Sequence, residues 1–399
     1  MRQPPILLLL SLNVMVAFAS YLALKLGIGA WTADGWSTTQ IGVAVTAVGV
    51  SYAALVSIGG HLADRFGRAR VSSGGAAIGT IGCMLPLLSH RSGVEVAGAM
   101  LSFAGCAFFF PGIAGLFSDS EAVQGSNLQA PLHYRISQYN IGWSSGNVIG
   151  FVVAFLIGSV PIAIGYGICA LFFAIPFFLL LRYYRLPAAN ISSTGDRGGH
   201  PDLERLTLNG RVGLLIACLV GFSLFSQLDK ALSEHLPAAV ASRRASFVLA
   251  SYSAAYCSMF ILLGQWSGWV LRPKRLLLLQ LGLLLGPLGF IACGITQHLE
   301  VPYLTICGFV TGLGYGAAYK GSIYYSLRLP HGASRAAGLH ETFLGVGISA
   351  GPVLCGVLMM PLSGYSHLAA LGCIAAGFAL VNLIFQLMRM PTGLAPAQA

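Results

Sequence analysis

The chain has 399 residues, of which 56% are hydrophobic and only 9% charged; its mean hydropathy is +0.78. So little polar surface cannot coat a soluble globule, which excludes a water-soluble enzyme or binding domain and makes a bilayer the expected solvent. The formal net charge of +10 follows from loop topology and gives no support to nucleic-acid binding.

A crossing needs roughly 20 mostly apolar residues to span about 30 Å of hydrocarbon, and lipid cannot satisfy an open sheet edge. The long apolar runs therefore read as helices rather than barrel strands with alternating faces. Twelve are predicted, over residues 5–27, 40–60, 71–89, 94–117, 136–159, 161–183, 211–235, 245–270, 275–296, 301–325, 337–361 and 366–388. Ala17-Phe18-Ala19, following Arg2, resembles a leader-cleavage site, but the apolar run continues past it and the internal repeat needs this helix. It is read as a retained span.

With the amino terminus in the cytoplasm, cations such as Arg65, Arg68, Arg70, Arg135, Arg182, Arg272, Lys274, Arg275, Arg328, Arg335 and Arg389 fall inside, and only Arg91, Arg243 and Arg244 fall outside. That bias predicts an integral protein of the cell (inner) membrane with both termini cytoplasmic. The nine cysteines all sit in predicted spans and none forms a CxxC pair, so neither disulfide nor metal is expected.

The hydrophilic stretch around AANISSTGDRGGHPDLERLTLNG, rich in Gly, Ser, Asn and Pro, reads as a flexible cytoplasmic linker. The expected organisation is a bundle of six helices over 1–183, a linker over 184–210, a second bundle of six over 211–390 and a short tail over 391–399. Asn190-Ile191-Ser192 matches a glycosylation acceptor but lies on the cytoplasmic side, so it is set aside.

The halves repeat. Tyr52 and Gly60 correspond at an offset of 204 to Tyr256 and Gly264, with Arg68 falling on Arg272. In the fifth and eleventh spans, Gly146 and Gly150 correspond at an offset of 201 to Gly347 and Gly351. Duplication of this kind is how many secondary transporters are built.

Between the second and third spans stands Gly60-His61-Leu62-Ala63-Asp64-Arg65-Phe66-Gly67-Arg68. This is the complete G-x-L-x-D-R-x-G-R signature, and with the duplicated topology the chain resembles the major facilitator superfamily over nearly its full length. The resemblance implies an all-α integral membrane protein, twelve transmembrane helices in two pseudo-symmetric six-helix bundles. It also implies a conformational latch of Gly60, Asp64, Arg65, Gly67, Arg68 and Asp119, in which Arg68 pairs with Asp119 and Asp64 approaches the start of the eleventh helix. Glycine at 60 suits close packing, and Gly67 suits the positive φ of a short reversal. The second-half counterpart carries Gly268 where the aspartate stands, so a symmetric latch is not expected.

In the fifth helix, Gly142, Gly146 and Gly150 share one face, while Asn140, Ser144 and Asn147 share the opposite one. The small face suits close helix packing, and the amide face is expected either to meet a central cavity or to hydrogen-bond another helix. The resemblance implies that helices one, four, seven and ten line the path. The candidates there are Asn13 and Tyr21, Phe108, Phe225 and Gln227, then Tyr315 and Tyr319, joined by Tyr252 and Tyr256 of helix eight. No midplane arginine cluster is present to clamp a polyanion, so a neutral or amphipathic organic solute is expected.

Ionisable groups inside spans are costly and so become functional candidates. Asp229, deep in helix seven, is expected to pair with Lys25 or Lys230 as an outer gate, or as a static structural pair. His340 and Glu341 are candidates for proton coupling, although Glu341 also suits a helix amino terminus. The reading is a secondary carrier of a small organic molecule, working by alternating access, monomeric in the bilayer, without cofactor or nucleic-acid partner. The alternative is a non-transport membrane protein on the same fold, a sensor or an enzyme. An enzyme would show a concentrated polar site, whereas the twelve acidic residues here are dispersed.

Overall fold

The structure, a computed structural model, describes residues 4–89, 91–123, 131–157, 161–183, 203–328, 333–362 and 364–390, without the side chains of 118–123 and 333–338. Its spans are α1 (Ile6–Ala33), α2 (Thr38–Phe66), α3 (Arg68–Leu88), α4 (Ser92–Val123), α5 (Leu132–Leu156) and α6 (Ile162–Leu181). The second half supplies α7 (Leu203–Ser233), α8 (Ala238–Gln265), α9 (Pro273–Thr296, broken at Leu281), α10 (Val301–Arg328), α11 (Ala333–Leu358) and α12 (His367–Met388). Among the described residues there is no strand, as lipid requires of backbone that must satisfy itself.

Several boundaries lie beyond the predicted ones, because helices run past the hydrocarbon into polar sequence. The segment between the second and third predicted spans is almost wholly helical: α2 continues to Phe66, α3 starts at Arg68, and Gly67 alone makes the reversal at φ 101°. Helix α7 begins at Leu203, inside the stretch predicted as linker; residues 184–202 lie outside the described residues, as do 391–399. Helix α8 begins at Ala238 after Pro237, earlier than its two arginines suggested. Those cations leave the helix sideways: Arg243 lies over the Phe155 ring at 5.0 Å, and Arg244 donates to the Leu299 carbonyl.

The repeat is visible in the packing. A Cβ on Gly146 or Gly150 would meet α1 around Val14 and Phe18, and one on Gly347 or Gly351 would meet α7 around Leu215 and Leu219. Small residues thus let α5 seat on α1 as α11 seats on α7, the close approach that membrane helices use in place of a hydrophobic drive. The two halves meet along two long seams, α2 with α11 and α5 with α8. In the first, Gly49 faces the Ile348 and Ser349 backbone, Gly345 faces Ala53, and Thr46 Oγ1 donates to the Ser349 carbonyl at 2.6 Å. In the second, Ser137 Oγ donates to the Phe260 carbonyl at 2.7 Å, beside Gly264. The second seam also carries aromatic rings from both helices, Trp143 against Tyr256 and Phe260, and Phe155 against Phe247.

Candidate functional site

Between the seams lies a cavity of ≈ 70 Å³ lined from both halves. Helix α5 contributes Tyr139, Trp143 and Asn147, a stripe at i, i+4, i+8 that stands beside the glycine face on α1. Helix α1 adds Ala17, Ser20 and Tyr21, α2 adds Tyr52, and α4 adds Phe103, Cys106 and Phe110. From the second half come Tyr315 and Tyr319 of α10 and Glu341, Leu344 and Ile348 of α11. A smaller cavity of ≈ 20 Å³ adjoins it, sharing Tyr21, Trp143 and Tyr315 and adding Phe151, Phe222, Phe225, Tyr252 and Tyr256.

The aromatic rings hold one another at tilted and edge geometries, which favour the ring quadrupoles. Trp143 lies 5.5 Å from Tyr256 and 5.3 Å from Tyr319, and Tyr315 lies 5.2 Å from Tyr256. Two polar contacts at the cavity wall cross between the halves. Asn147 Nδ2 donates to the Tyr256 hydroxyl at 2.7 Å, and the Tyr52 hydroxyl donates to Glu341 Oε2 at 3.2 Å. Among the described residues, no Lys, Arg or His side chain lines the cavity.

Toward the end of the bundle marked by the α1–α2 turn, the cavity is closed by two successive layers. In the first, the Tyr21 and Phe225 rings are 5.9 Å apart, flanked by Phe151 and Phe222. One turn further along both helices, Lys25 Nζ lies 2.6 Å from Asp229 Oδ2, both buried, and donates to the partly buried Ser242 Oγ at 2.9 Å. Gln227 Nε2 adds a cross-half bond to the Thr38 carbonyl at 3.0 Å. At the opposite end, marked by Gly67, Lys320 Nζ donates to the His133 carbonyl and to Ser137 Oγ, tying α10 to the start of α5. Both exits are therefore spanned by bonds between the halves.

The structure separates the sequence candidates into groups. Tyr21, Asn147, Tyr315 and Tyr319 line the main cavity, and Phe225, Tyr252 and Tyr256 line the adjoining one. Asn13 instead donates to the Tyr139 carbonyl at 3.1 Å and packs on Gly142, joining α1 to α5 within one half. Phe108 turns toward Gly75 in α3; its neighbours Phe103 and Phe110 take the cavity face. Gln227 sits on the seam. Asn140 accepts from Trp143 Nε1 at 3.3 Å and so orients the indole, while Ser144 Oγ turns back on the Ile141 carbonyl.

Asp229 takes Lys25, not Lys230, as partner. Adjacent His340 and Glu341 part company: Glu341 lines the cavity, whereas His340 Nδ1 lies 3.0 Å from Ser322 Oγ, within the second half. At the Gly67 turn, Arg68 donates to the Gly115 carbonyl at 2.8 Å and lies 3.5 Å from Asp64. Gly59, rather than Gly60, makes the close approach to α4, against the Ala107 carbonyl; a Cβ on Gly60 would find Pro111 no nearer than 3.7 Å. Arg65 lies over its neighbour Phe66. The side chains of Asp119 and Arg335 lie outside the described residues. Trp143 and Tyr139 are absent from the sequence candidates although their spacing to Asn147 is visible there, because aromatic rings in an apolar span carry no signal that separates cavity from packing.

Residues 6–352 match the family model of the Major Facilitator Superfamily. Among solved structures, the chain is similar to a mutant form of the nucleoside transporter NupG, with 15% identity and a TM-score of 0.70, covering 97% of this chain and 100% of that one. It is also similar to a bacterial homologue of the human lysosomal transporter Spinster in an inward-facing, occupied conformation, at 17% identity and a TM-score of 0.69 over 98% of both chains. The transporter FucP in its outward conformation matches at 15% identity and a TM-score of 0.62, over 97% of this chain and 99% of that one. A duplicated twelve-helix body, a cavity shared by its halves and a family match over most of its length make this chain a membrane transporter, not an enzyme, belonging to the Major Facilitator Superfamily.

Proposed function

We propose that the protein is a secondary carrier that moves a small organic solute by alternating access through the cavity between its halves. The observation that supports this most directly is that each exit is spanned by its own set of bonds between the halves: Lys25 with Asp229 and Ser242 at one end, Lys320 with His133 and Ser137 at the other. Breaking one set while keeping the other opens the cavity to one side only. The small residues of the α2–α11 seam favour that rocking, since shallow interfaces slide at lower cost than interlocked ones.

On this reading Asp229 and Lys25 form an outer gate. Gly60, Asp64, Arg65, Gly67, Arg68 and Asp119 form the cytoplasmic latch, placing the Gly67 end and both termini inside. The carrier is a monomer of the cell membrane, and its halves divide at the stretch between α6 and α7. Glu341 is the site of proton coupling: it lines the cavity with Tyr52, Tyr139 and Tyr319, accepts from the Tyr52 hydroxyl, and shares that wall with no Lys, Arg or His side chain among the described residues. His340, turned away, takes no part in it.

The test is uptake of a solute panel into proteoliposomes with and without an imposed pH gradient. Accumulation above equilibrium under the gradient, lost in Glu341→Gln while solute exchange persists, is the expected result. Gradient-driven accumulation that survives in that variant removes Glu341 from the coupling role, and absence of uptake for every solute removes the carrier reading.

A further inference from the structure

The chemistry of the cavity wall selects a charge. Aromatic faces carry negative potential, and a cation within about 6 Å of a ring centroid is attracted by it, Trp most strongly. Here Tyr52, Trp143, Tyr315 and Tyr319 line the cavity together with Glu341, the carboxylate among its lining residues. The two buried lysines among the described residues are committed elsewhere. Lys25 is held by Asp229 behind the Tyr21–Phe225 layer, and Lys320 by His133 and Ser137 in the α5–α10 contact. The hydroxyl of Tyr52 donates a single 3.2 Å hydrogen bond to Oε2 of Glu341, which leaves its charge without a counterion among the described residues.

An anionic solute entering this space would meet a carboxylate and ring faces, both repulsive, with no cationic side chain among the described lining residues to offset them. A neutral solute would stack but would leave Glu341 to take up a proton, whereas a cation pairs with the ionised carboxylate and competes with that proton. We infer that the transported solute is a monovalent organic cation, an amine or quaternary ammonium with a compact apolar body, its charge against Glu341 and the face of Trp143. The inference rests on the carrier reading and narrows it. Asn140 is then a positioning residue, because it accepts from the indole N–H and so fixes which face of Trp143 the cavity sees. The cavity volume of ≈ 70 Å³ is smaller than the roughly 150 Å³ that holds a benzene ring, so a compact solute fits this form and a larger one requires the cavity to widen.

The full-length protein in proteoliposomes would be given radiolabelled tetramethylammonium, choline, benzyltrimethylammonium and tetraphenylphosphonium. Neutral 3,3-dimethylbutanol serves as the uncharged counterpart of choline, with adenosine as a neutral stacking solute and benzoate as an anion. Saturable uptake of at least one cation is expected, with its neutral counterpart binding about tenfold or more weakly. In Glu341→Gln that preference should collapse to near unity and in Glu341→Asp persist, while Trp143→Leu should lose it and Trp143→Phe keep most of it. Circular dichroism and thermal unfolding of each variant separate misfolding from lost selectivity. Saturable uptake of adenosine or benzoate with none of the cations, or a cation preference untouched by Glu341→Gln, overturns the inference and leaves the carrier standing. No uptake of any probe counts against both.

Discussion

Lys25 of α1 and Asp229 of α7 meet across the two halves, with Nζ 2.6 Å from Oδ2. Tyr21 and Phe225, one turn earlier on each helix, bring their rings to 5.9 Å. Helices α1 and α7 therefore face each other where the halves join. Two like charges would repel there; a base from one half and an acid from the other form an ion pair.

Because the two side chains form one direct ion pair, the charge-swapped variant Lys25→Asp with Asp229→Lys should recover most of what either single change loses. Removing one partner leaves a buried charge and is expected to destabilise by about 3–5 kcal/mol. Thermal unfolding in detergent, with accessibility of cysteines placed at the α1–α2 end, would read both effects. A swap no better than the singles would show that Ser242, present on one side only, dictates the polarity.

Substitutions at three neighbouring glycines should separate cleanly. Gly67→Ala forces a Cβ onto φ 101° and is expected to cost on the order of 1–3 kcal/mol. Gly59→Ala drives a Cβ into the Ala107 carbonyl and should separate α2 from α4, whereas Gly60→Ala has space and should be near neutral. Melting temperatures of the three purified variants check the order.

Asn13 and Asn147 are both buried amides, with different expected phenotypes. Asn13→Ala removes a bond within one half and should lower stability by about 0.5–1.5 kcal/mol while leaving the solute KM unchanged. Asn147→Ala removes the link to Tyr256 at the cavity wall and should raise KM with a smaller change in melting temperature. Equal KM values in the two variants would place Asn147 outside the solute path.

Lys320 donates to two neutral acceptors of α5 from the interior of α10. Lys320→Met fills the same space without these charge-assisted bonds, each worth about 1.5–3 kcal/mol, and should bias the protein toward opening at the Gly67 end. Increased labelling of a cysteine at the start of α5 is the expected readout, and unchanged labelling would assign Lys320 a static role.

Sequence alone determined that this is a twelve-helix membrane protein, where its halves repeat, that Gly67 must turn, and that the glycine stripe of α5 seats on a neighbour. Hydropathy, repeat spacing and backbone freedom are local properties, so they survive without coordinates. It could not tell which rotation each helix adopts about its own axis. Lipid outside and packed side chains inside are equally apolar, so α4 carries no polar face to show that Phe103 and Phe110, not Phe108, turn inward. The same indifference left Asn13 and Gln227 indistinguishable from cavity residues and Lys230 as plausible a partner for Asp229 as Lys25. Only the tertiary structure, by bringing both halves around one axis, decided which side chains share a space and therefore which chemistry the cavity presents.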